Sequence, residues 1–146
     1  MAKQQSGLSK AIQRAFMRLS VWLYRRSGGK IGGKMFGSPV LLLTTTGRKS
    51  GRTWTTPLLY QPEGDGWVII ASNAGKAPHP AWWLNLRATP EATVQIGRDT
   101  HPVAARQVTG PDRERLWRRM ADMYKGYDGY ATKTTREIPV VILEKR

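Results

Sequence analysis

Three short runs constrain the fold more than any other feature. Pro39 to Thr46 (PVLLLTTT), Trp67 to Ser72 (WVIIAS) and Ile138 to Glu144 (IPVVILE) are rich in β-branched and apolar residues. They are too short for buried helices and read as strands, and Trp67 to Ser72 is apolar enough to be covered on both faces. The links between such runs decide how they pair. Gly47-Arg48-Lys49-Ser50-Gly51 joins the first run to a strand-like segment from Thr53 to Gln61, and Pro62-Glu63-Gly64-Asp65-Gly66 makes the next turn. Ala92 to Gly97 and His101 to Val108 flank a further turn at Arg98-Asp99. Turns this short join antiparallel neighbours, whereas a parallel sheet needs a long crossover after each strand. The expectation is an α+β domain in which six mostly antiparallel strands close as a barrel with flanking helices.

Helical periodicity is strongest ahead of the strands. Leu8, Ile12, Ala15, Phe16, Leu19, Trp22 and Leu23 fall on one helical face, and Lys10, Arg14 and Arg18 lie four apart on another. Arg25 and Arg26 suit the negative end of the helix dipole, and Gly28-Gly29 stops the helix. Either the apolar stripe packs on the domain and the basic face stays in water, or the helix lies on an anionic membrane with Trp22 and Tyr24 at the interface. A shorter helix is expected over Pro80 to Ala88. Another should open at Thr109-Gly110-Pro111-Asp112, with Thr109 as N-cap, and run to about Met123. At 146 residues there is room for one core. The chain divides into a basic amphipathic helix, residues 1–30, and a barrel domain, residues 31–146.

Charge narrows the partners. Lys and Arg number 24 against 10 Asp and Glu, a formal net charge of +14. Residues 1 to 62 contain 11 basic residues and no acid, while residues 63 to 146 hold 13 basic and 10 acidic residues. A local excess of this kind calls for a polyanion. Nucleic acid is excluded as that partner, because Trp67, Trp82 and Trp83 sit in apolar runs instead of alternating with cations as stacking platforms do. No run is long and apolar enough to span a bilayer and no cleavable leader is recognisable, so the expected location is cytoplasmic, either free or peripheral at the inner face of the plasma membrane. There is no cysteine, and the two histidines, His79 and His101, lack any ligand spacing, so no metal site is expected. Gly28 to Lys34 (GGKIGGK) imitates a P-loop, but Met35 stands where the hydroxyl residue belongs, and no strand precedes it.

Two loops remain as candidates. The turn Gly47 to Arg52 offers three cations, a hydroxyl and glycine-exposed backbone N–H groups; it is either a solvated basic hairpin turn or a phosphate cradle. The loop Ser72-Asn73-Ala74-Gly75-Lys76 leaves a buried strand and leads to Trp82, Trp83 and Asn85, where a planar ligand could lie against an indole wall.

VLLLTTTGRKSG at Val40 to Gly51, Thr56-Pro57-Leu58, Ala71-Ser72, HPAWWLNL at His79 to Leu86, Tyr124, Tyr127 and Tyr130, and the terminal IPVVIL occur in this order. Together with Trp22 to Arg26 (WLYRR), they resemble the deazaflavin-dependent nitroreductase family of actinobacteria. The resemblance implies a split β-barrel of the flavin-reductase, FMN-binding type and the coenzyme F420, a deazaflavin ring carried on a phosphodiester and an oligoglutamate tail. It places the phosphate on Arg48, Lys49 and Ser50. It places the ring on Pro57, Tyr60, Ala71, Ser72, Trp82 and Asn85, with Thr55, Thr56 and Asn73 beside them. Tyr124, Tyr127 and Tyr130 become the substrate-side and catalytic tyrosines, Tyr130 and Tyr127 first among them as proton donors. Spaced by three, they cannot all share one helical face, so at least one is expected in a loop over the pocket. The implied reaction passes a hydride from reduced F420 to an electron-poor conjugated small-molecule acceptor: a quinone, an enone or unsaturated lactone, or a nitroaromatic. Asn73 and Leu59 depart from relatives that activate nitro drugs, which carry Lys and Tyr there. The alternatives are an FMN-dependent reductase on the same barrel and a non-enzymatic module that binds F420 or a membrane surface.

Overall fold

The computed structural model describes residues 7–146. Helix α1 (Gly7–Ser27) is followed by β1 (Lys34–Met35), β2 (Ser38–Thr46), β3 (Thr53–Leu59), β4 (Gln61–Glu63) and β5 (Gly66–Ile70). A 3-10 turn at Asn73–Gly75 and α2 (Ala81–Ala88) lead to the hairpin of β6 (Glu91–Ile96) and β7 (Asp99–Val108). Then come α3 (Gly110–Met123), α4 (Gly126–Thr132) and β8 (Val140–Lys145). The expected strands are all present, each pairing is antiparallel, and β1, β4 and α4 are additional. Thr109 does occupy the N-cap position of α3, but its side chain makes no capping hydrogen bond; Pro111 and Asp112 supply the favourable first turn instead.

The sheet runs β2-β6-β7-β8-β5-β4, with β3 on the other side of β2. Only Tyr60 separates β3, at one end of this order, from β4 at the other. The two ends are therefore held within one residue of each other, and the sheet has to curl. The expected antiparallel barrel is realised as a curled half-barrel.

Alternation along the buried strands feeds two cores. Val40 and Leu42 of β2, Val68 and Ile70 of β5, and Val140 and Ile142 of β8 pack with Leu116, Trp117 and Met120 of α3 and with Tyr127 of α4. Their neighbours Leu41 and Leu43, Ile69, and Val141 and Leu143 pack with Trp82, Trp83 and Leu86 of α2. Burying both faces is why these segments read as unbroken apolar runs, and each leucine of β2 withdrawn from water contributes about 1.5–3 kcal/mol. Because α2 and α3 close opposite faces of the sheet, the loops around each helix are held rigidly at strand ends.

Helix α1 is built the other way round from the packed-stripe reading. Val21 and Tyr24 are its buried side chains, at 8% and 2% exposure, and the Tyr24 hydroxyl donates to the carbonyl of Val40 at 2.9 Å. Leu8, Ile12, Phe16, Leu19 and Trp22 are 53–74% exposed. The apolar stripe therefore faces outward, and Tyr24 sits inside the domain instead of at a membrane interface.

Candidate active site

The basic turn between β2 and β3 is a closed loop. Gly47 N–H donates to the Arg52 carbonyl at 2.7 Å, Gly51 N–H donates to the Gly47 carbonyl at 2.9 Å, and Arg52 N–H donates to Ser50 Oγ at 3.1 Å. A side chain at Gly47 would place its Cβ 2.8 Å from Ser50 Oγ and 3.0 Å from the Arg52 carbonyl, so the closure needs glycine there. From across the sheet α2 holds this loop. Asn85, 3% exposed, accepts from the Arg48 backbone N–H at 3.1 Å through Oδ1 and donates to Thr45 Oγ1 at 3.1 Å through Nδ2. Arg48 Nη1 also reaches Oδ1 at 3.4 Å. The buried carboxamide thus fixes the turn from beneath.

Arg48, Lys49, Ser50, Thr56, Trp82 and Asn85 line one cavity of about 310 Å³, together with Gly47, Trp54 and Ala81. Six of the residues expected to bind cofactor meet there. Trp54 was missed by sequence reading, although an indole among threonines in an otherwise polar strand half is a usable signal. Two cations and a hydroxyl at one end and two indoles beside them suit an anion joined to a planar ring. The donor set therefore fits a deazaflavin phosphodiester.

Pro57 lies in β3 opposite Leu42, and its missing N–H is tolerated because β3 pairs only with β2. Thr55 is bridged to Thr44 at 2.8 Å between hydroxyls, and Arg25 Nη2 of α1 donates to Thr55 Oγ1 at 3.1 Å. Tyr60, half-buried at the β3–β4 junction, has its phenol pKa raised by burial and then by Tyr24.

Ala71, Ser72 and Asn73 occupy the loop after β5. Here Asn73, Ala74 and Gly75 have φ of 49°, 55° and 80°, and for Ala74 this left-handed conformation is strained. The surroundings impose it. Arg136, which sequence reading missed, donates to the carbonyls of Ser72 at 2.9 Å, Lys76 at 3.1 Å and Ala71 at 3.4 Å, and to His79 Nδ1 at 3.2 Å. Burial and then the nearby Arg136 and Arg87 lower the His79 pKa. Gly75 packs against α4, where a Cβ would come within 3.0 Å of the Tyr130 carbonyl.

The three tyrosines form one aromatic cluster at this loop and are not among the residues lining the 310 Å³ cavity. Tyr124 caps the end of α3, while Tyr127 and Tyr130 belong to α4, so the expected loop tyrosine is a helix-end residue. The Tyr124 and Tyr130 hydroxyls are 2.8 Å apart. Hydrogen bonding to Tyr124 and then burial push the Tyr130 pKa up to about 12. Tyr127 is 5% exposed, sits edge-on to both neighbours, and burial raises its pKa further. Phe36, at φ 53°, stacks on Tyr124 with ring centroids 5.1 Å apart.

Comparison with known proteins converges on one chemistry. Residues 16–145 match the model of the F420H(2)-dependent quinone reductase family. The chain is 38% identical over 134 residues to an F420H(2)-dependent quinone reductase of Mycobacterium tuberculosis, covering 89% of this chain and 90% of that one. It superposes with a TM-score of 0.67 on an F420-H2 dependent reductase to which it is 40% identical, covering 73% of this chain and 94% of that one. A further solved structure, a domain-swapped dimer, is 34% identical with a TM-score of 0.70 and covers 87% of this chain and 95% of that one.

Proposed function

The chain belongs to the F420H(2)-dependent quinone reductase family, and from that membership we propose how its residues divide the work of reducing a quinone with reduced coenzyme F420. The bound coenzyme supplies the hydride and the protein supplies position and electrostatics. Arg48 and Lys49 would hold the phosphodiester with charge-assisted hydrogen bonds and Ser50 would add a hydroxyl, while Asn85 keeps the turn in register. Trp82 and Trp54 wall the cavity toward the ring. Thr56 would border the ring within the same cavity, and the family resemblance adds Ser72 and Asn73, on the loop clamped by Arg136, with Pro57, Thr55, Tyr60 and Ala71 as further residues that would hold it.

The Tyr124–Tyr130 hydroxyl pair delivers the proton that the acceptor needs after hydride addition. A phenol with its pKa raised stays protonated at neutral pH, as a proton donor must. Tyr127 supports the pair by packing. Beyond quinones, the proposed acceptors are enones and unsaturated lactones, with nitroaromatics the least favoured given Asn73 and Leu59.

The observation that carries this reading is the meeting of the cationic turn, the indoles and the buried Asn85 at one cavity. Titration of F420 fluorescence tests it: saturable quenching is expected, and binding of FMN without binding of F420 would shift the assignment to a flavin reductase.

A second observation concerns location. No helix among the described residues is long and apolar enough to cross a membrane. The outward stripe of α1, with Leu8, Ile12, Phe16, Leu19 and Trp22 exposed, favours peripheral attachment to a membrane surface, where a lipophilic quinone is held. Co-sedimentation with liposomes should weaken when residues 1 to 27 are removed; equal pelleting would discard this role.

A further inference from the structure

The face of α1 opposite its apolar stripe rests on the barrel only near its C-terminal end, through Val21 and Tyr24. Between this face and β3 runs a groove of about 910 Å³ whose walls carry Lys10, Arg14 and Arg18 from α1, Arg25 near its end, and Arg52 and Trp54 from the other side. Among the described residues five cations line it and no carboxylate does. The ion pairs among the described residues involve Arg106, Arg113, Arg115, Arg118 and Arg119, and none of the groove cations. Trp54 and Thr56 belong both to this groove and to the 310 Å³ cavity, so the two are continuous around the basic turn.

A soluble helix ordinarily turns its apolar side to the protein and its cations to water. The reversal here aims like charges into a shared trough, an arrangement that is unfavourable until an anion fills it. Apart from Trp22, which also borders the groove, the stripe and the cations point away from each other, so a membrane under Leu8, Ile12, Phe16 and Leu19 leaves the cations directed into the groove.

We propose that the α1–β3 groove is a binding site for an extended polycarboxylate, occupied by the oligoglutamate tail of F420 as it leaves the phosphodiester at Arg48 and Lys49. This rests on the cofactor reading above. Carboxylates spaced along a flexible chain suit cations spaced one helical turn apart at Lys10, Arg14 and Arg18. The helix would thereby act as a tail clamp and discriminate between cofactor molecules by tail length.

The test is equilibrium fluorescence titration of the full chain with oxidised F420 carrying one glutamate and with F420 carrying five or more. The variants are the triple substitution Lys10→Gln, Arg14→Gln, Arg18→Gln, and separately Arg52→Gln, which lies outside the helix. Wild type should bind the long-tailed form roughly ten-fold more tightly, as several exposed ion pairs acting together allow. That advantage should shrink with added salt and largely vanish in the triple variant, while affinity for the single-glutamate form holds. Equal affinity for both tail lengths in wild type, or an advantage that survives the triple substitution, overturns the proposal. If the triple variant loses binding to anionic vesicles and tail length has no effect, the cations serve lipid and the proposal is also overturned. Failure to bind F420 of any length would remove the cofactor reading and this inference together.

Discussion

Two groups of cations in this molecule make opposite uses of the same side chains. Around α3, arginines are neutralised: Arg115 and Arg119 both pair with Glu63, Arg118 pairs with Asp128 at 2.6 Å, and Arg113 donates to the Ile138 carbonyl at 2.8 Å. Around α1 and the β2–β3 turn the cations have, among the described residues, neutral hydrogen-bond partners at most, Thr55 for Arg25 and Asn85 for Arg48. The first 62 residues contain no acid that could pair with them. Charge left uncompensated within the fold is charge available to a ligand, so net charge is informative here only after it is divided by region.

The sharpest way to break the comparison is to remove a cation from each group. Arg48→Ala with Lys49→Ala should weaken F420 binding by about 100-fold to 10,000-fold, since each charge-assisted contact contributes about 1.5–3 kcal/mol, with little change in Tm. Arg118→Ala should leave F420 affinity unchanged. A comparable loss in both variants, read by fluorescence titration, would mean that the effect is bulk charge and not the turn.

Asn85→Ala comes next. Its buried carboxamide serves Arg48 and Thr45 at once, so its loss should lower stability by about 1–3 kcal/mol and weaken F420 roughly ten-fold, measured by thermal melting and titration. Unchanged affinity would show that the turn holds its shape without support from α2.

The Tyr124–Tyr130 pair lies beside the neutralised region and should affect turnover instead of binding. Tyr130→Phe is expected to lower kcat roughly ten-fold with KM for the quinone nearly constant. Since its pKa is pushed up to about 12, the phenol stays protonated as pH rises, and kcat should show no alkaline limb from this group up to about pH 10. A limb below that, abolished in Tyr130→Phe, would contradict the shift.

Glu63→Gln should have the smallest effect, under about 1 kcal/mol, because its arginine partners remain solvent-accessible. The hydrogen bond from Arg115 holds its carboxyl below the ordinary value of 4.5, so its stabilisation is present above that pH and fades as pH falls through the lower folded value. The variant should therefore melt like wild type in strong acid and slightly below it near neutrality, with F420 affinity untouched.

What the sequence disclosed follows from where the stabilisation originates. β2, β5 and β8 were legible because both their faces are buried, so their own residues carry the signal. α4 was not: Gly126 and Gly129 are poor helix formers, and the segment is held by Tyr127 packing on Trp117 and by Gly75 lying against Tyr130. β4 was hidden in a Pro-Glu-Gly turn signal, since only its pairing with Gly66, Trp67 and Val68 makes it a strand. The helix of α1 was legible, but its orientation was not, because periodicity identifies a face without saying what covers it. At the site, the basic turn, Trp82 and Asn85 were visible as types in order. The anchoring of that turn by Asn85 and the clamp of Arg136 on the strained Asn73–Gly75 loop depend on contacts 37 and 64 residues apart, beyond any local pattern.

The most direct test of the central claim is an anaerobic assay in which reduced F420 is mixed with the protein and a soluble quinone and the return of oxidised deazaflavin absorbance is followed. Enzyme-dependent, saturable reoxidation that falls steeply in the Arg48→Ala, Lys49→Ala variant is the predicted result. Reoxidation no faster than without protein, alongside turnover with reduced FMN, would contradict it.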